Sequence, residues 1–253
     1  MVESFSGLLP DGDTPDRTLA VLDDSQPEPV WDLFVDAFGN LGIDLVETDL
    51  DGGTEGTVVL IENGAVVATS PMESVRNAIL LVNSDLYTTG LSGVERYEAP
   101  DVLTAMEGDT YTLRGFPESA KEKLLLIVMS RYIERRALEV DGGRLDVAFQ
   151  RLSRIKSEYG TGRIYRRLSE SEVEVHAYGI PDSVPADLDG IRFHAGRTEP
   201  YRKSWFVVFS PPGGRIDPAA LLALEKDSDA WRSTWTYEPE RVRSIRDRIE
   251  RRF

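Results

Sequence analysis

Cysteine is absent from this chain of 253 residues, which excludes disulfides, thiolate nucleophiles and cysteine-ligated metals. Histidine is almost absent: His176 and His194 are the two present, too few for a histidine-rich metal site. Both fall within or at the end of segments that read as strands, where a structural role is expected. The patterns G-x-x-x-x-G-K-[ST], H-E-x-x-H and G-x-S-x-G do not occur, so a Walker-type phosphate loop, a zincin site and a hydrolase nucleophile elbow are excluded. Gly160-Thr161-Gly162 lacks the third glycine of a dinucleotide turn. With 44 acidic residues, any single carboxylate pair is uninformative. No apolar run is long either. The longest aliphatic stretch is Leu124–Met129, far below the ~20 residues of a spanning helix. MVESFSGLLP at the N-terminus has neither the basic nor the apolar region of a signal peptide. These absences predict a soluble cytoplasmic protein, without a membrane partner, that is not an enzyme.

Lysine is scarce as well. Of 29 basic residues only 5 are Lys, against 44 acids and a net charge of −15. Acid-rich, lysine-poor surfaces suit a cytoplasm of high salt, where repulsion between carboxylates is screened within roughly 3 Å at 1 M ionic strength. A salt-adapted source is therefore expected. The charge is unevenly spread: residues 1–110 carry 22 acids and only Arg17, Arg76 and Arg96, whereas residues 111–253 carry 22 acids and 26 bases. Such asymmetry fits either two functional halves or two surfaces of one molecule that attract each other, and a module boundary near Gly108–Thr110 is expected. It would separate an acidic N-terminal α/β region, 1–110, from a second module, 111–253, packed against it.

In the first region the pattern predicts a strand at Leu19–Leu22 and a helix from Pro29 to about Phe38. Val58–Ile61 and Ala65–Ala68 flank Asn63-Gly64, a strong hairpin signal. Helices follow near Met72–Leu81 and Pro100–Met106. In the second region Tyr111–Arg114 reads as a strand, and Pro117 opens the longest helix, ending at Asp141-Gly142-Gly143. Leu145–Phe149, Val173–Tyr178, Ile191–Phe193, Trp205–Phe209 and Ser233–Tyr237 read as strands, with helices around Leu152–Glu158 and Ala219–Glu225. From Pro239 onward Val242, Ile245, Ile249 and Phe253 form an apolar stripe between arginines. The expected fold is α/β, a mixed sheet flanked by helices with the acidic extension packed on it.

One stretch carries a family likeness. Ser130–Tyr132, Glu134-Arg135-Arg136-Ala137, Gly143, Val147 and Phe149-Gln150-Arg151-Leu152-Ser153 are followed by Val175-His176-Ala177-Tyr178-Gly179-Ile180-Pro181-Asp182. Further on come Ser204–Phe209, Ala220–Glu225, Trp235-Thr236-Tyr237, Pro239 and Val242. In this order the segments resemble the DICT sensory domain, named for its occurrence with diguanylate cyclases and two-component proteins, in its stand-alone, halophilic-archaeal form. The resemblance implies a signal-input module with no catalytic residues to carry over. It acts through a protein partner in a signalling pathway, or by forming a homodimer.

A sensory module needs an apolar-walled pocket with a few convergent polar groups. The candidate ligand-binding residues are Arg131, Glu134 and Arg135 on the long helix, Gln150 and Arg151 where the next strand ends, and Trp205 and Trp235 on later strands. No cofactor is indicated, and the ligand has no signature in the sequence. The alternative is a transcription-associated DNA-binding or adaptor protein that uses the Arg-rich outer face of the terminal helix. A helix-turn-helix over Phe149–Leu168, with Tyr159-Gly160-Thr161-Gly162 as its turn, belongs to the same alternative. The strongly negative net charge argues against nucleic acid.

Overall fold

A computed structural model describes residues 5–10, 16–22, 35, 38–39, 43–47, 56–86, 99–114, 124–157, 159–214, 216–227 and 230–253. Its elements in chain order are β1 (Arg17–Leu22), β2 (Asp44–Glu47), β3 (Thr57–Glu62), β4 (Ala65–Pro71), α1 (Met72–Leu86), α2 (Asp101–Thr104), β5 (Tyr111–Arg114), α3 (Leu124–Val140) and β6 (Arg144–Arg151). Then follow α4 (Arg154–Ser157), α5 (Tyr159–Ser169), β7 (Glu174–Ile180), β8 (Ile191–Ala195), α6 (Glu199–Lys203), β9 (Ser204–Ser210), β10 (Ala219–Asp227), β11 (Ala230–Thr236) and α7 (Pro239–Arg252). The expected helix at Pro29–Phe38 and the Pro117 start of the long helix lie largely outside the described residues.

The strands form two sheets. A four-stranded sheet has the order β2-β1-β3-β4, and a seven-stranded sheet the order β5-β11-β10-β9-β6-β7-β8. In the larger sheet β6, β7 and β8 run parallel to one another, while β9, β10, β11 and β5 alternate in direction. This is the mixed α/β architecture that the sequence pattern predicts. β3 and β4 close through Asn63 and Gly64, with φ of 50° and 80°. Two successive left-handed residues make the tight turn whose twist matches a hairpin, and Asn-Gly is the pair that tolerates it best.

Three expectations give way to the structure. Ala219–Glu225, read as a helix, belongs to the interior strand β10. Its Leu221 and Ala223 enter one core and Ala220 and Leu222 the other, so both faces are buried and the apolar run is continuous, without the alternation that signals a half-exposed strand. The Tyr159–Gly162 stretch is the start of α5 and no helix-turn-helix loop. The polar helix around Leu152–Glu158 is only the single turn α4, followed at once by α5.

Each face of the large sheet carries its own core. One face, with Leu145, Val147, Val207, Phe209, Leu221 and Trp235, packs on α3 through Val128, Met129 and Ile133 and on α5 through Ile164, Tyr165 and Leu168. The same cluster continues into the small sheet through Leu19, Val58 and Leu60 and into α1 through Val75 and Ile79. On the opposite face Ala148, Tyr178, Phe206 and Leu222 meet Val242, Ile245 and Ile249, the apolar stripe of α7. Burying each of those three side chains stabilises the fold by roughly 1.5–3 kcal/mol. The Gly142-Gly143 break before β6 has a steric cause. Gly143 has φ of 83°, and a Cβ there would stand 2.4 Å from the Ser210 carbonyl oxygen.

Candidate functional site

The region with the most unusual local chemistry is the crossover from β6 to β7. One residue before the end of β6, Gln150 has φ of 63°, a left-handed conformation that costs a residue with a Cβ on the order of 1–2 kcal/mol. Gln150 is only 8% exposed, and its Nε2 has no hydrogen-bond partner. Here the pairing of β6 with β7 shifts register, between Ala148 and Arg151. Immediately after it the Leu152 amide donates to the Ile180 carbonyl. The Ser153 amide and hydroxyl donate to the two carboxylate oxygens of Asp182 at 3.0 and 2.7 Å. Partial burial works against ionisation of Asp182, but these Ser153 bonds and the Ser183 amide outweigh it and hold the carboxyl below its ordinary range. Arg151 lies 3.6 Å from the same carboxylate, with its side chain 63% exposed.

Beneath the crossover lies a buried ionic cluster between α3 and α5. Arg131 Nη1 donates to Glu134 Oε2 at 2.6 Å and Nη2 to Thr161 Oγ1 at 2.7 Å. The Tyr165 hydroxyl donates to Glu134 Oε1 at 2.7 Å. Glu134 is 1% exposed and Tyr165 fully buried, and Tyr165 also stands edge-on to Phe149 of β6, ring centroids 5.0 Å apart. Burial first, then the Glu134 carboxylate, push the Tyr165 hydroxyl well above its ordinary pKa, so it acts here only as a donor. Arg135, the third member of the expected trio, turns away and pairs with Glu139 at 2.6 Å on a partly exposed face.

The two tryptophans stand elsewhere. Trp205 on β9 is half-buried beside Ala223. Trp235 on β11 is fully buried and stacks on Tyr111 with ring centroids 4.9 Å apart. Tyr111 in turn accepts from Arg17 Nη1 at 2.8 Å and donates to the Met106 carbonyl, while Arg17 also pairs with Glu62 and Asp109. The seven candidates are thus distributed over three places. Arg131 and Glu134 join one cluster, Gln150 and Arg151 mark a strand end, and Trp205 and Trp235 occupy the walls of the main core. Arg135 sits beside the first.

Two further polar groupings come together in the fold. On the α7-facing side, fully buried Asp146 is held by Arg144 through two hydrogen bonds, at 2.9 and 2.8 Å, and accepts from the Tyr178 hydroxyl at 3.0 Å. The Tyr178 ring stacks on His194, whose Nε2 is 2.9 Å from His176 Nδ1, and His176 Nε2 reaches Glu174 at 3.1 Å. Glu174 also pairs with Arg192. The legible signal was the spacing Glu174, His176, Tyr178, which puts all three on one face of a strand. The second grouping is a cleft of about 290 Å³ bordered by Lys156, Arg163 and Arg166. Among the described residues no three His, Asp or Glu side chains gather as a metal site, and no helix is long and apolar enough to cross a membrane.

The fold is that of an α/β protein with a mixed sheet, and several of its polar groups lie at the parallel crossover from β6 to β7. Residues 101–226 match the family model described as DICT, the sensory domain in diguanylate cyclases and two-component systems; over this segment the chain is a DICT sensory domain. The matched span contains the Gln150 strand end, the Arg131–Glu134 cluster, the histidine chain and the basic cleft, and stops short of β11 and α7. No curated protein and no solved structure matches the chain.

Proposed function

We propose that this is a signal-sensing regulatory protein, responsive to a ligand or partner, that passes its state to a protein partner and has no catalytic output of its own. The observation that carries the reading is the pairing of a sensory-domain match with the strained, under-bonded Gln150 at the carboxyl edge of β6. Strain of this kind persists where the surroundings over-determine it, and it clusters at binding and switching sites. An incoming polar group that accepts from Gln150 Nε2 would complete its hydrogen bonding. Arg151 stands beside it, and the Arg131–Glu134 cluster would transmit a shift of α5 to α3 with Arg135. Trp205 and Trp235 wall the core that α3 rests on. A cytoplasmic, high-salt setting agrees with the charge composition.

The experiment is native mass spectrometry of protein purified gently at high salt, followed by the Gln150→Ala and Arg151→Ala variants. A co-purified small molecule lost in both variants, with melting temperatures close to wild type, is expected. Retention of that molecule by both variants would remove the strand end from the site.

The duplex-binding alternative draws less support. α7 buries its apolar stripe and presents Arg243 and Arg251 outward, but Asp247 and Glu250 interleave with its arginines and pair with Arg246 and Arg144.

A further inference from the structure

We propose that the cleft between α4, α5 and the segment joining β7 to β8 is an anion site for a phosphate-bearing small molecule. This deepens the sensory reading above and rests on it. The cleft measures about 290 Å³, the lower end of the range for small-molecule sites. Its apolar walls are Ile155 and Leu188, both buried. Its charged rim is Lys156, Arg163 and Arg166, with Asp187 facing them among the described residues. Three cations facing one carboxylate at a single concavity make a local excess of positive charge. Low-dielectric walls beside like charges focus the potential toward an anion.

Topology supports the assignment independently. α4 follows the carboxyl end of β6, and the segment 181–190 follows the carboxyl end of its parallel neighbour β7. Crevices outside the carboxyl ends of such strands are where open α/β sheets hold their ligands. Arg163 and Arg166 are three apart on α5 and so share a face, and Gly162 in the first turn places no side chain between them and the cleft.

Asp187 occupies the place of the anion. Lys156 Nζ is 2.5 Å from its Oδ1. The Lys156 hydrogen bond, then one from the backbone, then the positive charge of Lys156 and Arg166 hold its carboxyl below the ordinary range. Yet the pair is half exposed, where an ion pair contributes little against water. A phosphate, with more charge and more acceptor oxygens, displaces it. Displacement would release one anchor of the 181–190 segment while Asp182 on Ser153 keeps the other. Occupancy is thereby coupled to the connection between β7 and β8.

The test is calorimetric titration of the full chain with inorganic pyrophosphate. Saturable binding is expected, weakened about tenfold in Lys156→Ala and in Arg166→Ala, one charge-assisted hydrogen bond each, and tightened in Asp187→Asn. Arg251→Ala, an exposed arginine on α7, should leave the affinity unchanged. Absence of saturable binding, or equal weakening by Arg251→Ala, overturns the site. So does a short DNA duplex that competes better than pyrophosphate at equal phosphate concentration. A co-purified molecule that survives Arg166→Ala in native mass spectra overturns the cleft and leaves the sensory reading standing.

Discussion

At the scale of single residues, the histidine chain gives the clearest expectation. Neutral His176 that donates from Nε2 to Glu174 must accept at Nδ1, so His194 Nε2 is the donor in the 2.9 Å contact. Burial first, then the facing His176, lower the His194 pKa below 6.5; Arg144 and Arg192 add to this and Asp146 opposes it. Because the folded value is depressed, the unfolded chain takes up this proton first. The contribution of neutral His194 is therefore fully present above about pH 6.5 and is lost as pH falls through the folded value. Thermal melts across this range should show stability falling toward acid in the wild type and a shallower fall in His194→Gln. Equal slopes in the two proteins would show that carboxylates elsewhere dominate. The sequence allowed a structural role for His176 and His194, and they do sit in the sheet. Their mutual contact was not legible, because it depends on the parallel register that pairs Tyr178 with His194.

At the scale of elements, the clasp between α3 and α5 decides how the helical layer holds together. Arg131, Glu134, Thr161 and Tyr165 are all less than 9% exposed, so removing one charge leaves the other buried without compensation. Glu134→Ala should cost about 3–5 kcal/mol, a fall in melting temperature on the order of 10 °C for a chain of this size. Arg131→Met combined with Glu134→Leu should recover most of it, since the pair as a whole contributes little over apolar packing. If the double variant melts as low as the single, the clasp is worth more than its charges alone. The helix α3 was legible in the sequence, with Arg131 and Glu134 as polar candidates on it. That the pair would be buried was not, since the partner helix α5 begins with Tyr-Gly-Thr-Gly, two glycines that each disfavour a helix by about 1 kcal/mol. β10 failed for the converse reason. Ala219–Glu225 is built from good helix formers, yet Phe209, Val208, Val207, Phe206 and Trp205 lie opposite its successive residues on β9. Small alanines between these large neighbours fill the sheet, and packing overrides propensity.

At the scale of the whole molecule, the contrast in charge between residues 1–110 and 111–253 suggests two modules, whereas burial ties them into one core. Leu19, Leu60, Val75 and Ile79 belong to the same cluster as Leu145, Phe209 and Trp235. Arg17 of β1, 5% exposed, reaches Asp109 at the end of the first region and Tyr111 at the start of the second. Its guanidinium carries Glu62 from the small sheet into the same contact, so the acidic extension anchors on the larger sheet through one buried cation as well as through apolar surface. A fragment comprising 111–253 would expose the faces of α3 and Tyr111 that the small sheet and α1 now cover, and would leave its side of this polar knot without Arg17. We therefore expect the full chain to unfold in a single transition, seen alike by far-ultraviolet circular dichroism and tryptophan fluorescence. The fragment should melt well below it or aggregate. Two resolved transitions in the full chain, with the upper one reproduced by the fragment, would establish independent domains and confine sensing to the second. A single transition would mean that a ligand held at the β6–β7 crossover stabilises the acidic region too, because anything that binds the native state alone raises the stability of every element folding with it.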